Sequence, residues 1–379
     1  MSINILLTGG RAPATYYFAR LLNEQGHQLF MAESLPKHLC MRSNLFKKSF
    51  LVTAPNENRD EFVQDLINII QDNNIDLVIP TCEEVFHVAY GYEKISKYCS
   101  VLCEPLEKIN TFHHKGLFIE TLNGRFQEFV HIPHTVVIDT NLNTSDTKTI
   151  IENQLSLDNE YVCKPAYSRF GTEIAFMKGK NLVEYISTRN NIWVVQEKIS
   201  GKQICTYAIS DKGKMKCYSA YESNDTVGLG ATIYFEPLQN EKLEQFVKHY
   251  IEEYEYTGQI AFDFIMKDNG EIYPIECNPR TTSGICMFPL AKYDDTYLVG
   301  SETTMVGLAM LQTLFFKNIF KQIGKMIKAK DIIWNTKDHI VFFDQLSSFL
   351  YMLKEAKRRK ISSYQMSTID IEWNGDLVE

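Results

Sequence analysis

Two carboxylates and an amide stand at a spacing that one hairpin would bring together. Ile260 to Lys267 alternates in polarity, as does Glu271 to Asn278, and Asn269-Gly270 lies between them. Such alternation reads as a half-buried strand, and Asn-Gly is the preferred pair for a two-residue type I′ turn. With that turn Asp268 pairs with Glu271, Asp263 faces Glu276, and Asn278 follows one pleat further along the same face. Facing Cβ atoms are only about 4.5–5.5 Å apart, so two like charges there destabilise the pair. One carboxyl is protonated, the pair is exposed and solvated, or a cation sits between them. Two carboxylates and an amide oxygen are hard ligands, suited to Mg²⁺ shared with substrate phosphates. Phe262, Phe264, Tyr273 and Ile275 fall on the opposite face and would anchor it in a core.

Lysine and glycine upstream suggest phosphate chemistry. Tyr161 to Lys164 reads as an apolar strand ending in a lysine before Pro165. Ser168 to Thr172 is a short polar loop containing Arg169 and Gly171, and Ile174 to Met177 resumes a strand. A strand–loop–strand with small and basic residues at its tip can fold over phosphates through backbone N–H groups, which weighs against the bland reading of Lys164 as a surface lysine. Trp193 to Ile199 is a strand ending in a charged pair, with Glu197 open between an exposed strand end and a site. Gln203 to Ser210, the turn Asp211-Lys212-Gly213 and a strand through Tyr221 make this part antiparallel.

The first hundred residues differ. Asn4 to Thr8, Leu29 to Ala32 and Ile75 to Pro80 are strands. Between and after them, Ala14 to Glu24, Glu61 to Gln71 and Glu84 to Tyr92 have helical spacing. Alternating strands and helices imply a doubly wound parallel sheet. The turn Thr8 to Pro13 reads TGGRAP, which lacks dinucleotide spacing; it is a tight turn or a backbone cradle for an anion. Glu83 and Glu84 follow a strand end, where open α/β sheets bind ligands. For Glu84 a helix-end carboxylate is favoured; Glu83 stays open.

The chain has 379 residues, 45% hydrophobic and 23% charged, with a formal net charge of −8. This describes a globular chain of two or three domains and argues against a general nucleic-acid binder. No apolar run is long enough to span a membrane, and no signal peptide is evident. Nine cysteines without a CxxC pair point to reduced thiols and a cytoplasmic protein.

Together these residues resemble the ATP-grasp superfamily, most closely enzymes like the large subunit of carbamoyl phosphate synthase, over residues 1–290. The resemblance implies α/β and α+β architecture. An N-terminal doubly wound parallel-sheet pre-ATP-grasp domain (1–110) precedes a two-lobed ATP-grasp fold (111–290, lobes 111–195 and 196–290). A small C-terminal α+β region (291–379) follows. The segment Val78 to Glu84 sits where the first domain ends its sheet strand. Lys115 and Lys164 match the two nucleotide-binding lysines, and Ser168 to Thr172, with Gly171, matches the loop that closes on phosphates. Gln196 to Ile199, through Glu197, Lys198 and Ile199, matches the adenine-binding linker. Asp263, Glu276 and Asn278 match the metal ligands, and Arg280 matches a basic residue near the reacting centre. The sequence departs from the family at three points: one glycine in the loop, Gln203 where a ribose-contacting acid is usual, and Asp263 where Glu is common.

The implied cofactors are ATP and Mg²⁺ or Mn²⁺. The implied reaction is carboxylate–amine ligation through an acylphosphate, releasing ADP and phosphate. In it Lys115 and Lys164 hold phosphates, while Arg280 and Arg169 stabilise the transferring group. Small-molecule carboxylic acids and amines are the expected partners, without nucleic acid or membrane, and a homodimer is an open alternative. A carboxylating or phosphoryl-transfer enzyme and a nucleotide-binding module without turnover are the rival readings. Near the end, Thr303 to Met326 and Phe342 to Arg359 read as helices. The second ends in Lys354, Lys357, Arg358, Arg359 and Lys360, and Thr368 to Gly375 reads as a strand and turn.

Overall fold

A computed structural model describes residues 2–140, 144–168, 173–227, 231–293, 296–314 and 317–375. The N-terminal sheet is wholly parallel. Its spatial order is Phe46–Leu51, Gln28–Glu33, Asn4–Thr8, Leu77–Ile79, Ser100–Val101. The chain starts at the centre, builds outward on one side, then crosses to the other. The switch point therefore lies between the ends of Asn4–Thr8 and Leu77–Ile79, where such sheets open a crevice. Asn4–Thr8 is almost entirely buried, as a strand with helices on both faces must be. Two strands escape the sequence pattern. Phe46–Leu51 carries exposed Lys47 and Lys48, the marks of a protected edge rather than of a core, and Ser100–Val101 has only two residues.

Helix limits follow local chemistry. Pro13 opens Pro13–Glu24, where its missing N–H costs nothing, and Gly26 just beyond it has φ +83°. Asn58 caps Arg59–Asn73 by accepting from the Glu61 N–H.

Two antiparallel sheets follow. The smaller has the order Thr135–Asp139, Ile192–Glu197, Glu160–Pro165, Ala175–Lys178. The larger runs Ile272–Asn278, Gly258–Met266, Lys202–Asp211, Lys214–Glu222, Leu298–Val299, with only the last strand parallel to its neighbour. In the smaller sheet Tyr161, Cys163, Trp193 and Val195 pack into one core. The intervening residues Val162, Lys164, Val194 and Gln196 take the other face, as a period of two requires.

The C-terminal part corrects two expectations. Thr303 to Met326 is not one helix: a short strand Thr304–Met305 precedes Gly307–Thr313, and Ile319–Lys328 starts afresh, capped by Asn318. Thr368 to Gly375 is not a strand but a run of turns and open chain. Packing accounts for it. Trp373 is buried against Phe86, with ring centroids 6.3 Å apart, and donates to Asn110 Oδ1 at 2.8 Å. Asp370 pairs with the buried Arg11 at 2.7 Å. The segment is thus pinned side chain by side chain to the first domain, with no sheet edge involved. All nine cysteines are free. Among the described residues no helix is long and apolar enough to cross a membrane.

Because Trp373 fills a core position from a segment lacking secondary structure, Trp373→Ala should cost about 3–5 kcal/mol, as for other buried aromatics. Denaturant unfolding followed by circular dichroism measures it. A loss below about 1 kcal/mol, the range of surface substitutions, would mean that the segment is not docked.

Candidate active site

The hairpin carries the acidic pair, by a different route from the one its turn suggests. Met266 pairs with Ile272, Ile265 with Tyr273 and Phe264 with Pro274. Gly270 N–H bonds the Lys267 carbonyl at 2.9 Å, and of the loop residues only Gly270 has positive φ, at +85°. This is a three-residue loop, Asp268 to Gly270, made of a type I turn and a left-handed glycine. It is not type I′, and Asp268 does not pair with Glu271. By itself that loop would slip every pair by one. The register shifts back at Ile275, which has no partner across the ladder, so Asp263 does face Glu276 and Ala261 faces Asn278. Beyond this bulge the side chains change face. Tyr273 therefore leaves the core face expected for it and stacks on His131 at 5.4 Å. Ile275 is only half-buried, and Ile272 and Cys277 join Phe262 and Phe264 in the core instead.

The bulge also frees a carbonyl. Lys164, buried on the facing sheet, donates to the Ile275 carbonyl at 3.0 Å and to Gln196 Oε1 at 3.1 Å. Lys115 is fully buried at the start of Lys115–Leu122. It donates to the Ser168 carbonyl at 3.1 Å and lies 3.4 Å from Glu276 Oε2. His114 holds that helix start, its Nδ1 accepting from the Gly116 and Leu117 N–H groups, both at 3.1 Å. Both lysines thus point at the hairpin, Lys164 from the facing sheet and Lys115 from a helix that packs into the hairpin's own core.

Charge sets the ionisation. Burial and the facing Glu276 push the Asp263 carboxyl well above the usual carboxylate range, and the Cys205 thiol bonds to it. Burial raises Glu276 too, but Lys115 and Lys164, with a 3.0 Å bond from Asn278 Nδ2, outweigh it and hold Glu276 below that range. Burial, reinforced by Lys115, brings the Lys164 amine down to about 8 against the pull of Glu276 and Asp263.

Arg280 joins this cluster to the first domain. Its Nε lies 2.7 Å from the buried Glu83. Its terminal nitrogens reach Asn278 Oδ1 and the Thr281 carbonyl, each at 3.3 Å. The open reading of Glu83 therefore resolves as the partner of Arg280 at the switch-point crevice. Glu84 does stand at the helix end, as the N-cap residue of Val85–Tyr90, but its side chain does not cap that helix: it accepts from Thr8 Oγ1 at 2.6 Å and from the Thr81 and Cys82 N–H groups. In the TGGRAP turn the Arg11 N–H is given to Glu33 Oε2 at 3.1 Å, and the Arg11 guanidinium is paired with Glu33 and Asp370.

Asp263, Glu276, Asn278, Arg280, Lys115 and Lys164 come together. Ser168 joins them through its carbonyl. Glu197 accepts from the His134 N–H at 3.1 Å, beside the start of Thr135–Asp139. Lys198 turns outward to Glu160 at 2.8 Å, half-buried Ile199 follows it, and Gln203 pairs with Ile265 in register. None of these four touches the acidic pair. Arg169 and Gly171 lie outside the described residues. The sequence reading placed Gln196 only in the adenine-binding linker, not beside Lys164, and did not single out Cys205. Alternation marks both in hindsight, since Gln196 shares the Lys164 face and Cys205 pairs with Asp263. Among the described residues no cluster of three or more His, Cys, Asp or Glu suits a metal. The donor set is two carboxylates with one amide, which fits a hard cation completing its shell elsewhere.

The two acids should respond oppositely to neutralisation. Asp263→Asn removes the repelled charge and should stabilise the metal-free protein at pH 7 by about 0.5–1 kcal/mol, the worth of a facing like-charge pair. Glu276→Gln leaves Lys115 and Lys164 under-compensated and should destabilise by about 1–3 kcal/mol. Thermal melts in chelator measure both, and shifts of the same sign would exclude this charge assignment.

A family model described as an ATP-grasp domain matches residues 124–284. No curated protein sequence matches the chain. Among solved structures, N5-carboxyaminoimidazole synthetase from Staphylococcus aureus superposes with a TM-score of 0.57 at 11% identity, covering 74% of this chain and 71% of that one. L-amino acid ligase from Bacillus licheniformis gives 0.56 at 13% identity, with 74% and 67% covered. The biotin carboxylase domain of Hydrogenobacter thermophilus 2-oxoglutarate carboxylase, in complex with ADP, MgADP and bicarbonate, gives 0.56 at 15%, with 74% and 65% covered. At such identities the likeness is one of fold. Both antiparallel sheets and the facing acids fall largely within the matched span, and behind its parallel-sheet domain the chain carries an ATP-grasp domain.

Proposed function

We propose that this protein is an ATP-dependent carboxylate–amine ligase that activates a small carboxylic acid as its acylphosphate, captures it with an amine and releases ADP and phosphate. The observation carrying this reading is the facing of Asp263 and Glu276 beneath Lys115 and Lys164. The L-amino acid ligase among the structural neighbours supports it. The neighbour bound to MgADP and bicarbonate supports ATP and Mg²⁺ as cofactors. It also keeps a carboxylating enzyme, with bicarbonate as the carboxylic acid, as the second reading. The free cysteines support a reducing, cytoplasmic setting, and the end of the parallel sheet at Val101 supports a boundary near residue 110, whereas strands on both sides of residue 290 share sheets.

Each residue then has a task. Asp263 and Glu276 would hold the metal, with Asn278 joining once its amide oxygen turns from Arg280. The bound metal would neutralise charge spread over phosphate oxygens. Lys115 and Lys164 pair with phosphates, exchanging the contacts they now make to Glu276, Ser168 and Ile275. Gln196 and the Ile275 carbonyl aim Lys164, and the Glu197–Ile199 strand end receives the base. Glu83 holds Arg280 in place by charge, and each terminal nitrogen keeps a second N–H for a carboxylate or the transferring group. A planar fork orients such groups as a point charge cannot.

Lys164 gives nucleotide binding a pH signature. Its free amine titrates near 8, and a bound triphosphate requires the ammonium. Above pH 8, binding must take up a proton, so ATP affinity should fall by up to about tenfold per pH unit as linkage demands. Lys164→Met should remove that slope and weaken binding by about tenfold or more at pH 7. Titration calorimetry from pH 7 to 9.5 tests both. A slope that survives in the variant would assign the proton elsewhere.

The reaction itself is tested with carboxylic acids labelled with oxygen-18, screened as amino acids, hydroxy acids and bicarbonate against an amine panel. One label should appear in released phosphate. Label retained wholly in product, or AMP and pyrophosphate as products, would point to adenylation and exclude the proposal. No ADP formation with any substrate would favour the non-catalytic module.

A further inference from the structure

The helix Ile340–Arg359 packs Tyr351, Met352 and Ala356 against the rest of the chain yet leaves a second apolar face outside. The residues it buries are Val341, Asp344, Ser348 and Ala356. Asp344 is ion-paired with Arg42, and Ser348 Oγ lies 3.5 Å from the Lys37 carbonyl. The other side carries Phe343, Leu346, Phe349, Leu350 and Leu353, which keep 59, 59, 47, 55 and 39% of their surface exposed. A helix on the surface of a monomer keeps its outward face polar. Phe343, Leu346, Leu350 and Leu353 follow the three–four spacing of heptad a and d positions, the seam along which helices pair. Phe349 widens that seam.

We propose that this face packs against the same helix of a second copy of the chain, antiparallel about a twofold axis. An isologous interface must complement itself, and a stripe of Phe and Leu at heptad spacing does, its knobs fitting holes of the same kind. The area suffices. At about 200 Å² for a large side chain, the exposed fractions amount to on the order of 500 Å² of apolar surface per copy. That is most of the roughly 800 Å² per partner of a stable interface, and the flanking side chains add more. It also reaches the upper end of what a monomer normally exposes in one patch.

Charge fixes the direction. Lys354, Lys357, Arg358, Arg359 and Lys360 crowd one end of the helix. Parallel pairing would press two such ends together. Antiparallel pairing separates them by about 30 Å, the length of a 20-residue helix, and opposes the two helix dipoles favourably. The same distribution weighs against a lipid surface. A helix lying in a membrane interface is flanked by cations along its apolar face, whereas here they gather at one tip.

Light scattering and sedimentation velocity on the full chain at tens of micromolar test this. The expected result is twice the chain mass. Leu346→Asp/Leu350→Asp should give one chain mass with an unchanged circular dichroism spectrum, since both side chains are exposed. The control Leu346→Met/Leu350→Met should stay dimeric. Amine cross-linking of the dimer should join Lys354 of one copy to Lys337 of the other, a link that parallel pairing excludes. A monomeric wild type, or a double Asp variant that remains dimeric, would overturn the proposal. Co-sedimentation of a monomeric wild type with phosphatidylserine vesicles would assign the face to lipid instead.

Discussion

Three cations and three carboxylates converge in one cleft, and none can hold its charge there without the others. Lys115 and Lys164 are buried, as is Glu83; Asp263, Glu276 and Arg280 are partly so. Removing a charge from water costs several kcal/mol unless a partner or hydrogen bond offsets it. Those partners come from the parallel-sheet domain, the small antiparallel sheet and the hairpin. The charge balance is thus a reason for the three parts to stay together. It also constrains what can bind. An anionic triphosphate that draws Lys115 and Lys164 toward itself strips Glu276 of the groups that keep it ionised, while Asp263 is already strained by its neighbour. A cation on the acids repairs this, so on the proposed reading nucleotide and metal bind as one unit.

The bulge at Ile275 shows how much of this was legible. The facing of Asp263 and Glu276 was readable from alternation and a turn signal, yet two one-residue offsets had to cancel for it to hold. The loop has three residues where Asn-Gly favours two, and the bulge returns the extra residue. A mark of the bulge stands in the sequence. Pro274 has no N–H to give the ladder, and a proline inside a strand belongs at an edge or a bulge. Reading it would have moved Tyr273 and Ile275 off the core face and exposed the carbonyl that now receives Lys164.

Other features were legible only as fragments. The parallel sheet, the antiparallel strands and the lysine at the end of Tyr161 to Lys164 follow from period and composition. The Glu83–Arg280 contact does not, because nothing local ties residues so far apart in the chain. The edge strand Phe46–Leu51 hid behind its solvent-facing lysines. The tail around Trp373 read as a strand because β-branched and aromatic residues fit one, whereas tertiary packing decided otherwise.

That tail bears on where a substrate can enter. The crevice at the switch point has two ends. At one, Arg11 is neutralised by Glu33 and by Asp370 of the tail. Nearby, the space a Cβ on Gly9 would need is taken by Glu84 Oε1 at 2.8 Å and Thr81 Oγ1 at 2.9 Å. That end is filled by the protein's own polar groups and offers an anion nothing. At the other end Glu83 and Arg280 face the acidic hairpin. The same tail runs on to Gly375, where a Cβ would lie 2.1 Å from the Tyr167 ring, one residue before Ser168, whose carbonyl Lys115 holds. Closing one end of the crevice and bracing the chain beside Lys115 are therefore done by a single segment, which on the proposed reading leaves the Glu83–Arg280 end as the place where a carboxylate meets the phosphates.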